Sequence, residues 1–314
     1  MTPTYILIIL AILILFIIVV LIVGKKCCDI AIRPDIAEKY SDLVFTPEQK
    51  DMLNKTHEEG LKWLEQNTEE VEIISYDGLK LKGYEIKQST KSDVWVIAVH
   101  GYLGKGADMA QFMEEFKKYG YNGLIIDLRA HSKSEGKYLG MGWLDHYDLI
   151  MWINRVIEYN KNCKIILFGV SMGAATVCMT TGEKLPENVK CAIADCGYTS
   201  AWDEFKLHLR KIFHVHSFPL LHSASLMSKI FAGYSFREAS SVKQVKKSKT
   251  PTLFIHGACD KFVPFQMLDE IYTAANCEKE KLEIEEATHA ESFLVNPEKY
   301  WGKVKEFIDK YVKE

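Results

Sequence analysis

The stretch Lys164-Ile165-Ile166-Leu167-Phe168-Gly169-Val170-Ser171-Met172-Gly173-Ala174-Ala175-Thr176-Val177 decides the fold. Its first five residues form an apolar run of strand length, and a run of small residues follows from Met172. Between them lies a G-x-S-x-G pentapeptide. Such a pentapeptide alone turns up by chance in about one chain in ten of this length, given average glycine and serine usage. A strand ending on it and a helix starting from it make it specific, because a nucleophile elbow is a strand, a sharp turn and a helix with the serine at the turn. Glycine is required at 169 and 173, since a side chain at either position would collide with the neighbouring strand or helix.

Apolar strands alternate with amphipathic helices on both sides of this stretch. Strands are expected at 94–99, 122–127, 163–168, 189–194, 251–256 and 281–286, with helices at 107–119, 143–160, 172–184, 265–276 and 292–312. Continuous apolar strands between helices imply a parallel sheet covered on both faces, a doubly wound α/β fold. Ahead of it, runs at 70–76 and 79–87 flank Asp77-Gly78, a hairpin signal, so the sheet begins antiparallel. Residues 197–249 interrupt the alternation with helical segments near 200–213 and 219–231 and no strand. An insertion at the open ends of core strands is placed to act as a lid.

A serine hydroxyl needs a base to take its proton, and in this kind of fold the order along the chain is Ser, Asp, His. Asp260 follows the strand ending at His256, and His289 follows the strand ending at Glu286. Both lie beyond carboxyl ends of strands, where open parallel sheets bind ligands. Asp195, after the strand 189–194, is a second candidate for the acid; Asp260 is preferred for its placement relative to the histidine. An oxyanion hole needs two main-chain N–H groups aimed at one point. Met172, after the serine, offers one, and Tyr102 in His100-Gly101-Tyr102-Leu103-Gly104 offers the other.

Together the strand followed by His100-Gly101-Tyr102, the segment Asp127 to Gly136, the Gly169 to Gly173 elbow, the segment His256 to Pro264 and the late His289 resemble the α/β-hydrolase superfamily. More narrowly, they resemble bacterial membrane-tethered proteins grouped with the serine aminopeptidase S33-like, or "hydrolase 4", hydrolases. The resemblance covers roughly residues 70–312. It implies ester, thioester or amide hydrolysis by Ser171, Asp260 and His289, with no metal or organic cofactor. Two positions depart from the family pattern: Ser132 stands where many relatives have glycine, and Ala258-Cys259 precede Asp260 where a polar residue is frequent.

Other candidates carry less. His208, His214, His216 and His222 lack carboxylate or thiolate partners at ligand spacing and read as lid histidines rather than a metal site. Asp127 and Arg129 read as a structural pair. The eight cysteines show neither a metal nor a disulfide spacing. Cys27 and Cys28 stand at a position open to acylation.

The N-terminus sets the chain apart. Tyr5 to Val23 is unbroken and apolar, followed by Gly24, Lys25 and Lys26. At 1.5 Å per residue such a run spans roughly 28 Å, the thickness of a hydrocarbon core. It lacks the positive leading region and small-residue cleavage site of a removable signal, so an uncleaved anchor is expected. Lys25, Lys26 and Arg33 favour a cytoplasmic catalytic domain. The expected organisation is an anchor over 1–24, a linker and N-terminal helix over 25–68, and a catalytic domain over 69–314 with the lid at 197–249. A formal charge of −3 on 314 residues gives no broad positive field, which argues against nucleic acid as a partner. The expected function is cleavage of a carboxylic ester of a small or lipid-like acyl substrate. A peptidase, an acyltransferase and a non-catalytic ligand-binding scaffold stay open.

Overall fold

The apolar run that opens the chain folds into helix α1 (Pro3–Ile32), which continues past Gly24 without a break. In the computed structural model, which describes residues 3–43, 46–88 and 92–312, residues 25–32 are therefore helix where a linker was expected. The reason is local: Lys25 pairs with Asp29 one turn on at 2.6 Å, and no helix breaker occurs before Pro34. Proline disfavours helical geometry in the residue before it, and Arg33 is extended. Residues 1–2, 44–45 and 313–314, at the edges of the expected segments, lie outside the described residues. A short helix α2 (Pro34–Ala37) leads on to α3 (Pro47–Asn67). Thr46 and Gln49 close a reciprocal capping box there, with bonds of 3.0 and 3.3 Å.

The elements that follow are β1 (Glu69–Ile74), β2 (Lys80–Ile86), β3 (Val94–Val99), α4 (Ala110–Lys118), β4 (Asn122–Ile126), α5 (Trp143–Tyr159), β5 (Lys164–Val170), α6 (Met172–Thr181) and β6 (Val189–Asp195). Then come α7 (Ala201–Phe213), α8 (Leu220–Ala232), α9 (Ser241–Val245), β7 (Thr252–Gly257), α10 (Gln266–Ala274), β8 (Lys279–Ile284), α11 (Ser292–Val295) and α12 (Pro297–Tyr311). The sheet runs β1-β2-β4-β3-β5-β6-β7-β8. β2 runs antiparallel to both of its neighbours, β1 and β4, and the other pairs are parallel. This is the mostly parallel, doubly wound architecture expected, with a helical insertion between β6 and β7.

Two differences have plain causes. The terminal helix expected over 292–312 is split, because Pro297 forces Asn296 out of helical geometry, and Asn296 then caps the second piece by accepting from the Lys299 N–H at 3.0 Å. Helix α9 carries too few residues for a period to show in sequence.

The alternation along the central strands builds two cores. Trp95, Ile97, Val99, Ile165 and Leu167 face α5 and α6 with Trp152. Val96, Ala98, Ile166 and Phe168 face the opposite side with Phe112, Phe116 and Phe307. Every loop at the carboxyl edge of β3, β5, β7 and β8 therefore opens on the same rim.

Candidate active site

The elbow after β5 holds Ser171 at φ 57° and ψ −118°, a conformation that costs a non-glycine residue about 1–3 kcal/mol. The turn can be this tight only because of its glycines. A Cβ on Gly169 would stand 2.3 Å from the Gly173 carbonyl oxygen, and one on Gly173 would stand 2.0 Å from the Val99 oxygen. The Ser171 N–H donates to the Asp195 carbonyl at 2.8 Å, which fixes the turn against β6.

His289, in the loop after β8, has Nε2 2.9 Å from Ser171 Oγ and Nδ1 2.7 Å from Asp260 Oδ2. A carboxylate can only accept, so Nδ1 carries the proton and Nε2 is left to accept from the serine hydroxyl. Asp260 is itself pinned: Oδ1 accepts the N–H groups of Phe262 and Val263 at 2.8 and 2.9 Å. A second imidazole, His256, approaches Oδ2 at 3.2 Å. Burial alone would raise the Asp260 carboxyl, but hydrogen bonds from His256 and His289 and their charge outweigh it and hold the group at about 2. It is an anion throughout the physiological range.

Asp195 has a different partner. Its Oδ2 accepts from the Tyr300 hydroxyl at 2.9 Å, and burial pushes its carboxyl up to about 6 in spite of that bond. The fold brings Asp260, not Asp195, into hydrogen-bond contact with His289.

Met172 is the first residue of α6, so its N–H has no partner within the helix. The Tyr102 N–H, in the loop after β3, likewise meets no main-chain acceptor among the described residues. Gly101 brings this loop against the elbow; even a Cβ there would lie 3.3 Å from that of Ser171. His100 sets the loop: Nε2 accepts from the Leu128 N–H at 3.1 Å and Nδ1 donates to the Gly101 carbonyl at 2.8 Å. Burial lowers this imidazole to about 4, in keeping with the neutral tautomer those bonds need.

Asp127 and Arg129 do not pair with each other. Each finds its own partner. Asp127 accepts the Gly106 N–H at 2.7 Å and the Tyr84 hydroxyl at 3.1 Å. Arg129 makes a two-pronged bond to Asp148 at 2.7 Å and reaches Asp77 at 2.9 Å.

The comparisons agree with this fold. A family model described as the alpha/beta hydrolase fold matches residues 94–214. The Bacillus subtilis protein YqkD is 30% identical over 242 residues, which are 76% of this chain and 78% of that one. The chain belongs to the α/β-hydrolase superfamily.

Among solved structures, the hydrolase is similar to the Pyrococcus furiosus esterase Pf2001, with 28% identity and a TM-score of 0.64 over 80% of this chain and 95% of that one. It shares its fold with the Pyrococcus horikoshii acylaminoacyl peptidase, at 18% identity and a TM-score of 0.60, covering 79% of this chain and 42% of the peptidase. A yeast membrane protein, YNL320W of Saccharomyces cerevisiae, is 21% identical over 76% of the hydrolase and 79% of its own length.

Ser171 opens on a cavity of about 300 Å³ between the sheet rim, the insertion and α1. Its walls are apolar, with Leu209, Leu221 and Phe236 from the insertion and Ile30 and Ala31 from α1. Glu204, His208 and Tyr198 are among the polar groups that break this lining. Glu204 Oε1 accepts from His208 Nε2 at 2.7 Å, while its Oε2 and the Tyr198 hydroxyl have no partner among the described residues. The Phe262 ring lies between His208 and His289, with centroids 4.7 and 4.8 Å away. Nothing in the local sequence marks Tyr198, Glu204 or the α1 residues as neighbours of the site; they meet Ser171 only once the insertion folds back over the rim.

Proposed function

We propose that the chain is a serine hydrolase, anchored in a membrane by α1, that cleaves carboxylic esters of apolar acyl groups through an acyl-enzyme. The observation that carries this is the continuous contact from Asp260 through His289 to Ser171, at 2.7 and 2.9 Å. As Ser171 Oγ attacks the ester carbonyl carbon, His289 Nε2 takes its proton, and the anionic Asp260 holds the resulting imidazolium. The carbonyl oxygen becomes an oxyanion between the Met172 and Tyr102 N–H groups. The carbon–oxygen bond to the alcohol then breaks, and His289 returns its proton to the departing oxygen. Water, deprotonated by His289 in turn, attacks the acyl-Ser171 ester and releases the acid. The apolar cavity and the likeness to an esterase support an ester of an apolar acid. Lys25 and Lys26 after the span support a cytoplasmic catalytic domain.

A second reading rests on Glu204, a carboxylate buried in the cavity wall with one oxygen unpartnered. Such a group would receive a substrate's free amine, as an aminopeptidase requires. A panel of acyl esters of increasing chain length, thioesters and aminoacyl amides separates the two. Turnover of esters that rises with chain length is expected. Preference for an amide with a free amine would transfer the assignment to a peptidase.

A further inference from the structure

The anchor helix is more than a tether. Burial along α1 begins at Val20, inside the apolar run, and Gly24, Cys28 and Ile32 are fully enclosed. At Val20 and Gly24 the covering element is α8 of the insertion, where Ser223 Oγ donates to the Val20 carbonyl at 3.0 Å, and the Ile32 carbonyl accepts from the Leu139 N–H at 2.8 Å. A Cβ on Gly24 would stand 2.0 Å from Ser223 Oγ, so glycine there is what lets the helices touch. Val20 lies three residues, about 4.5 Å, before the last apolar residue of the run, Val23. Wherever that run is immersed in hydrocarbon, the start of α8 reaches the depth of its last turn.

The insertion presents the surface such a depth requires. Phe218 is 74% exposed, Ile230 60%, Phe231 51% and Leu226 49%, and Lys25 sits over the Phe231 ring at 4.7 Å. Large exposed side chains concentrated on one insertion suit an interface and not water. The cavity reaches this surface: Phe213 and Val215 line it, and both are exposed. On its other side it is walled by Cys27, Ile30 and Ala31 of α1, about 6–12 Å beyond Val23, which runs from the headgroup layer to its outer edge. The Tyr102 hydroxyl donates to the Ala31 carbonyl at 2.9 Å, so α1 also braces the loop that offers the oxyanion N–H.

We infer that α1 and the insertion together form an acyl-chain site seated on the bilayer, which takes a membrane lipid with a single long acyl chain directly from the leaflet. This rests on the hydrolase reading and on α1 spanning the membrane. An apolar cavity of about 150 Å³ holds one benzene, so a cavity of about 300 Å³ takes a stretch of one chain and not the paired chains of a two-chain lipid.

The test uses the full chain in lipid nanodiscs. With wild type, Phe218→Ser/Ile230→Ser and Ile30→Trp, turnover of a monoacyl ester dissolved in the bilayer is divided by turnover of a short-chain, water-soluble ester. Both variants are expected to lower that ratio about ten-fold or more, the first by unseating the mouth and the second by filling the wall. An unchanged ratio in both would overturn the inference. A readout independent of turnover keeps it apart from the hydrolase reading: Phe218→Trp should add tryptophan emission that lipids brominated on their acyl chains quench. Added emission that those lipids leave untouched would overturn it even if the enzyme is active. Absence of ester turnover together with full quenching would instead sink the hydrolase reading and leave the seating intact.

Discussion

Asp260 and Asp195 are both buried carboxylates near Ser171, and their partners give them opposite characters. Asp260, held at about 2 by two imidazoles, lies 2.7 Å from His289 Nδ1 and, in the proposed mechanism, holds its charged form. Asp260→Asn is therefore expected to lower kcat by roughly 10³–10⁴, by the triad template, with KM little changed. Asp195→Asn should have a far smaller effect on kcat, because its carboxylate is committed to Tyr300. Steady-state kinetics on both folded variants decides it, and a crippled Asp195→Asn beside a near-normal Asp260→Asn would reverse the assignment. Asp195 also makes a pH-dependent contribution to stability. Its folded value of about 6 lies above the ~3.9 of an unfolded aspartate, so the folded state holds the proton more tightly. That contribution is present below pH ~4 and lost as pH rises through 6. Asp195→Asn should accordingly gain melting temperature relative to wild type between pH 4.5 and 7. A gap that stays constant or shrinks would show that burial does not raise this group.

The elements were legible where one period of hydrophobicity ran its course. The core strands, the elbow and the order of Ser171, Asp260 and His289 could be read because each residue follows a strand, and parallel strands end on one rim. What could not be read depends on chain segments that meet only in three dimensions. Helix α1 runs on past Gly24 for a local reason, but that its Gly24 face meets Ser223 of α8, a contact between segments about two hundred residues apart, could not be read. Proximity in sequence suggests pairing Arg129 with Asp127, whereas the fold turns it toward the Asp77 hairpin and toward Asp148 on α5. That junction ties the antiparallel edge to the parallel core. Arg129→Met should cost about 3–5 kcal/mol in urea unfolding, since it leaves the Asp148 carboxylate buried without its counter-charge. A loss under about 1 kcal/mol would mean that the network contributes little.

On the scale of the whole molecule, one rim of the sheet gathers the reacting groups, an insertion covers them, and an apolar helix long enough to cross a membrane forms one wall of the cavity. Orientation has a built-in reporter, because Cys259 is the exposed cysteine. A membrane-impermeant maleimide applied to intact cells should leave it unmodified and should label it after permeabilisation. Labelling of intact cells, with a cytosolic control untouched, would place the catalytic domain outside. The most direct measurement of all concerns Ser171 in the full chain. A fluorophosphonate probe should label the wild type and fail to label Ser171→Ala whose melting temperature matches it, with activity down by orders of magnitude; labelling of equal strength in that variant would show that Ser171 is not the nucleophile.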